Sequence, residues 1–152
     1  MNNGPKLRKV KSNDRPQLYE IAKKYLVPIY GDQSKALNEW LTGKGYKTVF
    51  VLEITNRIGG LLSLKRNPNK DYIKISTFLI IDEFKNNKFG SILLTKSIEF
   101  AQERGEKRLI VTVSEAVPES VIFFLKNGFN IINYEMGKYK EGVVEFIMER
   151  RL

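Results

Sequence analysis

Residues 72–114 constrain this chain more than any other stretch. Tyr72, Ile73, Ile75, Thr77, Phe78, Leu79, Ile80 and Ile81 make a β-rich run. A short polar loop follows at 82–89, and Ile92, Leu93, Leu94, Ile98 and Ala101 then recur at helical spacing up to a stop at Gly105. A second strand-like run, 108–114, carries Leu109, Ile110, Val111 and Val113. A strand, a helix and a strand joined by short loops form a crossover. The crossover makes the two strands parallel and lays the helix on one face of their sheet.

The other elements fit around that unit. Residues 7–11 read as a short first strand. Asn13 or Asp14 can cap a helix with Pro16 in its first turn and Leu18, Ile21, Ala22 and Tyr25 on one face, and Pro28 is expected to break it. Residues 33–41 form a second short helix, ended by Gly43 and Gly45. Residues 47–54 and 58–64 are strands around a turn at Asn56-Arg57, and 67–71 is a turn cluster. Pro118-Glu119-Ser120 opens a last helix that runs to Asn127 and stops at Gly128. Residues 129–139 and 143–149 then pair as final strands. The order β-α-α-β-β-β-α-β-α-β-β predicts an α/β fold. It has one mixed sheet, mostly antiparallel with one parallel pair, and helices on both faces.

Composition narrows the chemistry. The chain has 152 residues, which suits a single domain over 1–152. It has no Cys and no His, so a thiol nucleophile, a Ser-His-Asp triad, thiolate clusters and imidazole ligands are all excluded, and no metal site is expected. A general base has to be a carboxylate, an amine, a tyrosine or a water. No apolar run reaches the ~20 residues of a membrane helix, and the amino-terminal stretch is polar, so a cytoplasmic protein without a membrane partner is expected. The net charge of +9 favours anionic partners. The lysines are spread along the chain, and no dense arginine–aromatic stripe marks a nucleic-acid surface.

Lys85-Asn86-Asn87-Lys88-Phe89-Gly90-Ser91 stands directly before the crossover helix. A helix N-terminus presents free N–H groups and partial positive charge, which suit phosphate. The residues alone leave two readings: a phosphate cradle, or a solvated loop capped by Ser91 or Asn87.

The run from Phe78 through Lys85-Asn86-Asn87-Lys88-Phe89-Gly90-Ser91 to Leu94 resembles the phosphate loop of the GNAT superfamily of acyl-CoA N-acyltransferases. Phe123-Phe124-Leu125-Lys126-Asn127-Gly128-Phe129 and Ile58-Gly59-Gly60 resemble two further markers of that family, in the right order and spacing. The resemblance extends from about Leu7 to the C-terminus. It implies a GNAT fold whose parallel strands splay, and acetyl-CoA as co-substrate. Backbone groups of Leu79, Ile80 and Ile81 would pair with the pantetheine arm. Residues Lys85, Asn86, Asn87, Lys88, Phe89, Gly90 and Ser91 would hold the pyrophosphate. Phe124 would touch the thiol end, and the N–H of Ile80 would polarise the acetyl carbonyl.

Three residues depart from the family pattern. Lys88 stands where a glycine is usual, and Lys85 where an arginine or glutamine is usual. Phe124 stands where many members have the tyrosine that protonates the leaving thiolate. Tyr134, Tyr139 or a water would then have to supply that proton. Glu115 is the candidate base, with Glu83 and Glu53 as weaker ones. Tyr30 and Trp40 are read as core residues first and as acceptor-pocket residues second.

The resemblance implies transfer of acetyl from acetyl-CoA to a primary amine by direct attack in a ternary complex. The acceptor would be a small-molecule, peptide or aminoacyl amine, and the protein a monomer or homodimer. The alternatives are a catalytically weak acyl-CoA-binding module, or action on an RNA-borne amine such as aminoacyl-tRNA.

Overall fold

The computed structural model describes residues 4–152, so the first three residues of the polar amino-terminal stretch lie outside the described residues. The sheet is built around β2 (Lys47–Ile54) and β3 (Arg57–Lys65), whose residues are apolar on both faces. Val49 and Val51 of β2 face one layer of helices, and Phe50, Leu52 and Ile54 face the other. A strand covered on both sides has to read as a nearly continuous apolar run, and β2 does.

The first layer comes from α1 (Arg15–Ile21), α2 (Val27–Tyr30) and α3 (Ser34–Thr42). Leu18, Ile21, Leu37 and Trp40 anchor it, and Trp40 is only 1% exposed. The second layer is α4 (Phe89–Glu103), which buries Leu93, Leu94, Phe100 and Ala101, together with Phe124 of α5 (Pro118–Lys126). Burying a leucine such as Leu93 contributes about 2 kcal/mol.

Pro28 does not end the first helical stretch. A π-helical turn over Ala22–Leu26 follows α1, with Val27 N–H donating to the carbonyl of Ala22, and α2 continues through Pro28 to Tyr30. Pro28 sits in the first turn of that new segment, where a missing N–H is tolerated. Gly31, at φ 79°, ends it instead.

β1 (Lys6–Lys9), β4 (Ile73–Ile80), β5 (Arg108–Ser114), β6 (Asn130–Met136) and β7 (Val144–Arg151) complete one seven-stranded sheet in the order β1-β2-β3-β4-β5-β7-β6. The predicted parallel pair is β4 with β5, and every other pairing is antiparallel. The β2–β3 turn falls one residue earlier than expected. Thr55 (φ 48°) and Asn56 (φ 65°) occupy it, the two positive φ angles that a tight hairpin requires. The last strand pair is also shorter at its turn than expected. Phe129 leaves the strand and enters the core at 1% exposure, while every residue of β6 is exposed.

At the far edge, Arg8 of β1 binds both oxygens of Asp14 at 2.9 Å and Glu53 of β2 at 2.8 Å. The Lys11 amide also donates to Asp14, at 2.7 Å. This network ties the start of α1 to the sheet. Among the described residues, no helix is long and apolar enough to cross a membrane.

Candidate active site

β4 and β5 pair over only three positions, Ile73–Leu109, Lys74–Ile110 and Ile75–Val111. β4 nevertheless continues to Ile80 and β5 to Ser114. The reason lies on the other edge of β4. Its register with β3 steps from Leu64–Ile75 to Ser63–Thr77, so Ser76 is an extra residue. A bulge of this kind bends its strand and raises the local twist. The bend coincides with the last β4–β5 pair, and beyond it the two strands part.

The parting exposes backbone groups. The Ile81 N–H donates to the carbonyl of Gly59 at 3.0 Å, so it points toward β3. Backbone groups alternate sides along a strand, so the N–H groups of Ile80 and Phe78 point the other way, into the split. Of the three residues predicted to line it with backbone, Ile80 is therefore the one whose N–H faces it. Ile81 is committed to β3, and Leu79 shares its direction.

At the mouth of the split the chain makes a 3-10 turn over Asp82–Phe84 and then enters α4. Asn86 (φ 66°) and Lys88 (φ 62°) are left-handed, the kind of backbone that can gather successive amides into an anion-binding concavity. Among the described residues the N–H groups of Asn86, Asn87, Lys88, Phe89 and Gly90 meet no acceptor, whereas Ser91 donates to the carbonyl of Lys88 at 3.2 Å. The capping expectation fails, because neither Ser91 nor Asn87 caps the helix through its side chain. Asn87 instead uses its side-chain N–H groups on the carbonyls of Phe84 and Lys85, at 3.3 and 3.1 Å, which holds the loop in shape. The Lys85 ammonium lies 3.1 Å from Asp82 and 3.9 Å from Glu119 at the start of α5, bridging the two sides of the mouth. A Cβ on Gly90 would come within 3.1 Å of the Phe123 ring, so glycine there lets α5 approach α4 closely.

Behind the mouth lies a cleft of about 340 Å³. Phe78, Thr112, Ser120, Phe124, Tyr30 and Tyr139 are among the residues that line it. Phe78 packs on Phe123 and Phe124 with ring centroids 5.4 and 5.1 Å apart. Tyr30 and Tyr139 meet edge to face at 5.0 Å. Burial pushes the Tyr30 phenol up to about 12, with the charge of Glu145 as the second cause.

The remaining predicted residues are dispersed. Glu115 is exposed, and its amide donates to Val144 at 2.9 Å. Tyr134 is 63% exposed on the outer strand β6, apart from the cleft, whereas Tyr139 lines the cleft. Glu83 is held by Arg57 and Glu53 by Arg8. Trp40 is core, as first read, and Tyr30 is a cleft residue.

Two features escaped the sequence reading. Glu145 on β7 is 1% exposed, and one carboxylate oxygen has no hydrogen-bond partner among the described residues. Burial holds its carboxyl above the usual range, against an opposing hydrogen bond from Ser114. A charge inside the apolar run Val143-Val144-Glu145-Phe146-Ile147 was the available signal. The second feature is a row of lysines, Lys47, Lys65 and Lys74, inside the cleft. Among the described residues, no group of three or more acidic side chains is placed to hold a metal ion.

A mixed sheet split behind a bulged strand, with a helix N-terminus at the mouth, is the class of α/β fold that can take an extended ligand as an added strand and its anionic end at the helix. The chain belongs to the acetyltransferase (GNAT) family, whose model matches residues 15–129. No curated protein matches the chain by sequence. Among solved structures, it resembles a GNAT-family acetyltransferase from Desulfovibrio desulfuricans, with TM-score 0.82, 12% identity, and coverage of 97% of this chain and 99% of that one. It also resembles the PaiA N-acetyltransferase of Thermoplasma acidophilum in complex with coenzyme A, with TM-score 0.80, 18% identity and coverage of 98% and 99%. A third likeness is to a GNAT acetyltransferase from Elizabethkingia anophelis with acetyl-CoA bound, with TM-score 0.76, 15% identity and coverage of 99% and 100%. At these identities the likeness is one of fold.

Proposed function

We propose that the protein is an N-acetyltransferase that moves an acetyl group from acetyl-CoA to a primary amine by direct attack. The observation that carries this reading is the continuous backbone track. It runs from the inward N–H groups of Phe78 and Ile80 to the free amides at the start of α4. The track fits acetyl-CoA in kind: an amide-bearing arm needs strand-like partners, and a pyrophosphate needs clustered donors.

The roles follow from position. Ile80 holds the arm through its backbone. The amides from Asn86 to Gly90 hold the pyrophosphate, Lys88 brings positive charge to it, and Lys85 does so only by leaving Asp82 and Glu119. The cleft reaches Phe78 but not Ile80, so the N–H that polarises the acetyl carbonyl is assigned to Phe78 rather than Ile80. Phe124, with Phe78, walls the thioester from water. As the amine nitrogen bonds to the acetyl carbon, the carbon–sulfur bond breaks and the thiolate leaves. The ammonium proton passes through water to a base, since no carboxylate among the described residues lines the cleft, and Glu145, whose charge acts on the cleft residue Tyr30, takes that role in place of the exposed Glu115. Tyr139 replaces Tyr134 as the candidate tyrosine donor, because Tyr139 lines the cleft and Tyr134 does not.

A calorimetric titration with acetyl-CoA and CoA at two salt concentrations tests the reading, followed by thiol release against a panel of amines. Binding of both with release of free CoA supports it. Absence of binding at either salt overturns it. A weak acyl-CoA-binding module is the second reading, favoured by the missing hydroxyl at Phe124. Binding without thiol release from any amine would select it.

A further inference from the structure

Lys47, Lys65 and Lys74 form a row across three neighbouring strands, because Lys47 stands opposite Lys65 and Lys65 opposite Lys74. All three are half-buried and line the acceptor cleft, and no Asp or Glu lines it. Like charges placed directly across a sheet destabilise it. Lys47 is neutralised by Glu39 at 2.9 Å. Among the described residues, Lys65 and Lys74 meet no carboxylate within ion-pair distance. Burial, with Lys138 and Lys65 nearby, holds the Lys74 ammonium below its usual range, and Glu135 offsets this only in part.

Two crowded cations in a cleft that no described carboxylate lines favour an anion from outside the chain. We infer that the acceptor is a small amine that also carries an anionic group, carboxylate or phosphate, held by Lys65 and Lys74. This inference rests on the acyltransferase reading above. The geometry sets the acceptor's length. Lys74 and Phe78 are separated along β4 by at most roughly 13 Å, the ordinary strand rise over four residues, which the bulge at Ser76 shortens. A lysine side chain reaches back over part of that distance. An acceptor about the size of a dipeptide spans the rest, with its amine at Phe78 and Phe124 and its anion at the lysines.

Matched probes test the inference. Binding of glycylglycine, glycylglycinamide and aminoethyl phosphate is measured calorimetrically with CoA present. The three are measured on the wild type and on Lys65→Met/Lys74→Met, a variant that removes repulsion and so should fold. Glycylglycine or aminoethyl phosphate should bind the wild type roughly ten-fold tighter than glycylglycinamide, the size of one charge-assisted contact. The double variant should lose that preference and keep its affinity for acetyl-CoA. The tighter of the two anionic probes identifies the anion as carboxylate or phosphate. Equal binding of all three probes by the wild type, or a preference that survives in the double variant, overturns the inference. Failure of the wild type to bind acetyl-CoA overturns the acyltransferase reading instead, and the two failures are read in separate titrations.

Discussion

The ring of Phe84 lies against the α-carbon of Gly59. A methyl group built on that glycine would stand 2.6 Å from Cδ2 of Phe84 and 2.7 Å from Cδ1 of Ile54. Phe84 ends the 3-10 turn that leads into the loop before α4, so Gly59 seats that loop on β3. Gly59→Ala should cost about 1–3 kcal/mol by overpacking. It should also weaken acetyl-CoA binding, because relieving the clash moves Phe84 and the loop behind it. Denaturant unfolding and calorimetry check both effects. Wild-type affinity in a destabilised variant would separate the seat from the site.

Lys88 should show opposite effects on stability and affinity. It precedes α4 with φ 62° and makes no side-chain cap. A non-glycine residue held there stores ~1 kcal/mol or more. Lys88→Gly should therefore stabilise the protein by about that amount, while removing an ammonium from the phosphate end should lower CoA affinity. Parallel unfolding and binding curves check the pair of signs.

Asp14 makes stability depend on acid. Its hydrogen bonds from Arg8 hold its carboxyl below the usual 3.8, against the opposing effect of burial. A depressed folded pKa contributes stability that is present above 3.8 and lost as pH falls through the folded value. The wild type should weaken across that window. Asp14→Asn should be less stable at pH 7 by ~3 kcal/mol, since Arg8 loses a partner, and the gap should close as pH falls below the folded value of Asp14. Melting curves against pH measure it.

Glu145 works with the opposite sign. Burial raises its folded value above the usual 4.5, so the native state holds the proton longer than the unfolded chain. Its cost is absent at low pH and grows as pH rises through the window above 4.5. Glu145→Gln should raise the melting temperature at pH 8 and leave it nearly unchanged at pH 4. If Glu145 is also the base, the same substitution should cost on the order of 10²-fold in turnover and flatten the pH–rate profile. A stabilised variant with an unchanged profile would leave Glu145 a structural role only.

Phe124→Tyr probes the missing hydroxyl. The ring is 2% exposed and packs edge to face on Phe78 and Phe129, at 5.1 and 5.0 Å. A hydroxyl added there should raise thiol release if donation to the leaving group limits the rate. Unchanged release would assign the proton to Tyr139 or to water.

Much of the fold was legible because its signals are local. The periodicity of 72–81, 91–105 and 108–114 specifies a strand, a helix and a strand, and short connections make the two strands parallel. Gly43 ended its helix as expected, at φ 74°. Pro28 misled because its effect depends on the hydrogen-bond pattern around it, and a π-helical turn removed the conflict. Part of the candidate site was legible too. Lys85 to Ser91 stands out as a loop before a helix, and the free amides of Asn86 to Gly90 within it follow from that position. The acid and base candidates were less legible. Glu115 and Tyr134 suited the chemistry, but a strand's neighbours and depth depend on pairing, which a single sequence does not display.

The sequence by itself determined the order of elements, the parallel crossover, the glycine-bearing loop at a helix N-terminus, and the absence of thiol and imidazole chemistry. Each depends on residue type and near neighbours. Only the tertiary structure decided that Ser76 is an extra residue in β4, that the sheet parts there, and that Phe78 and Ile80 turn their N–H groups into the gap. It also decided that Glu145 is buried and that three lysines from three strands stand in a row. The physical reason is register. One residue of slip exchanges the two faces of a strand, and register is set by the whole sheet packing between its two layers of helices.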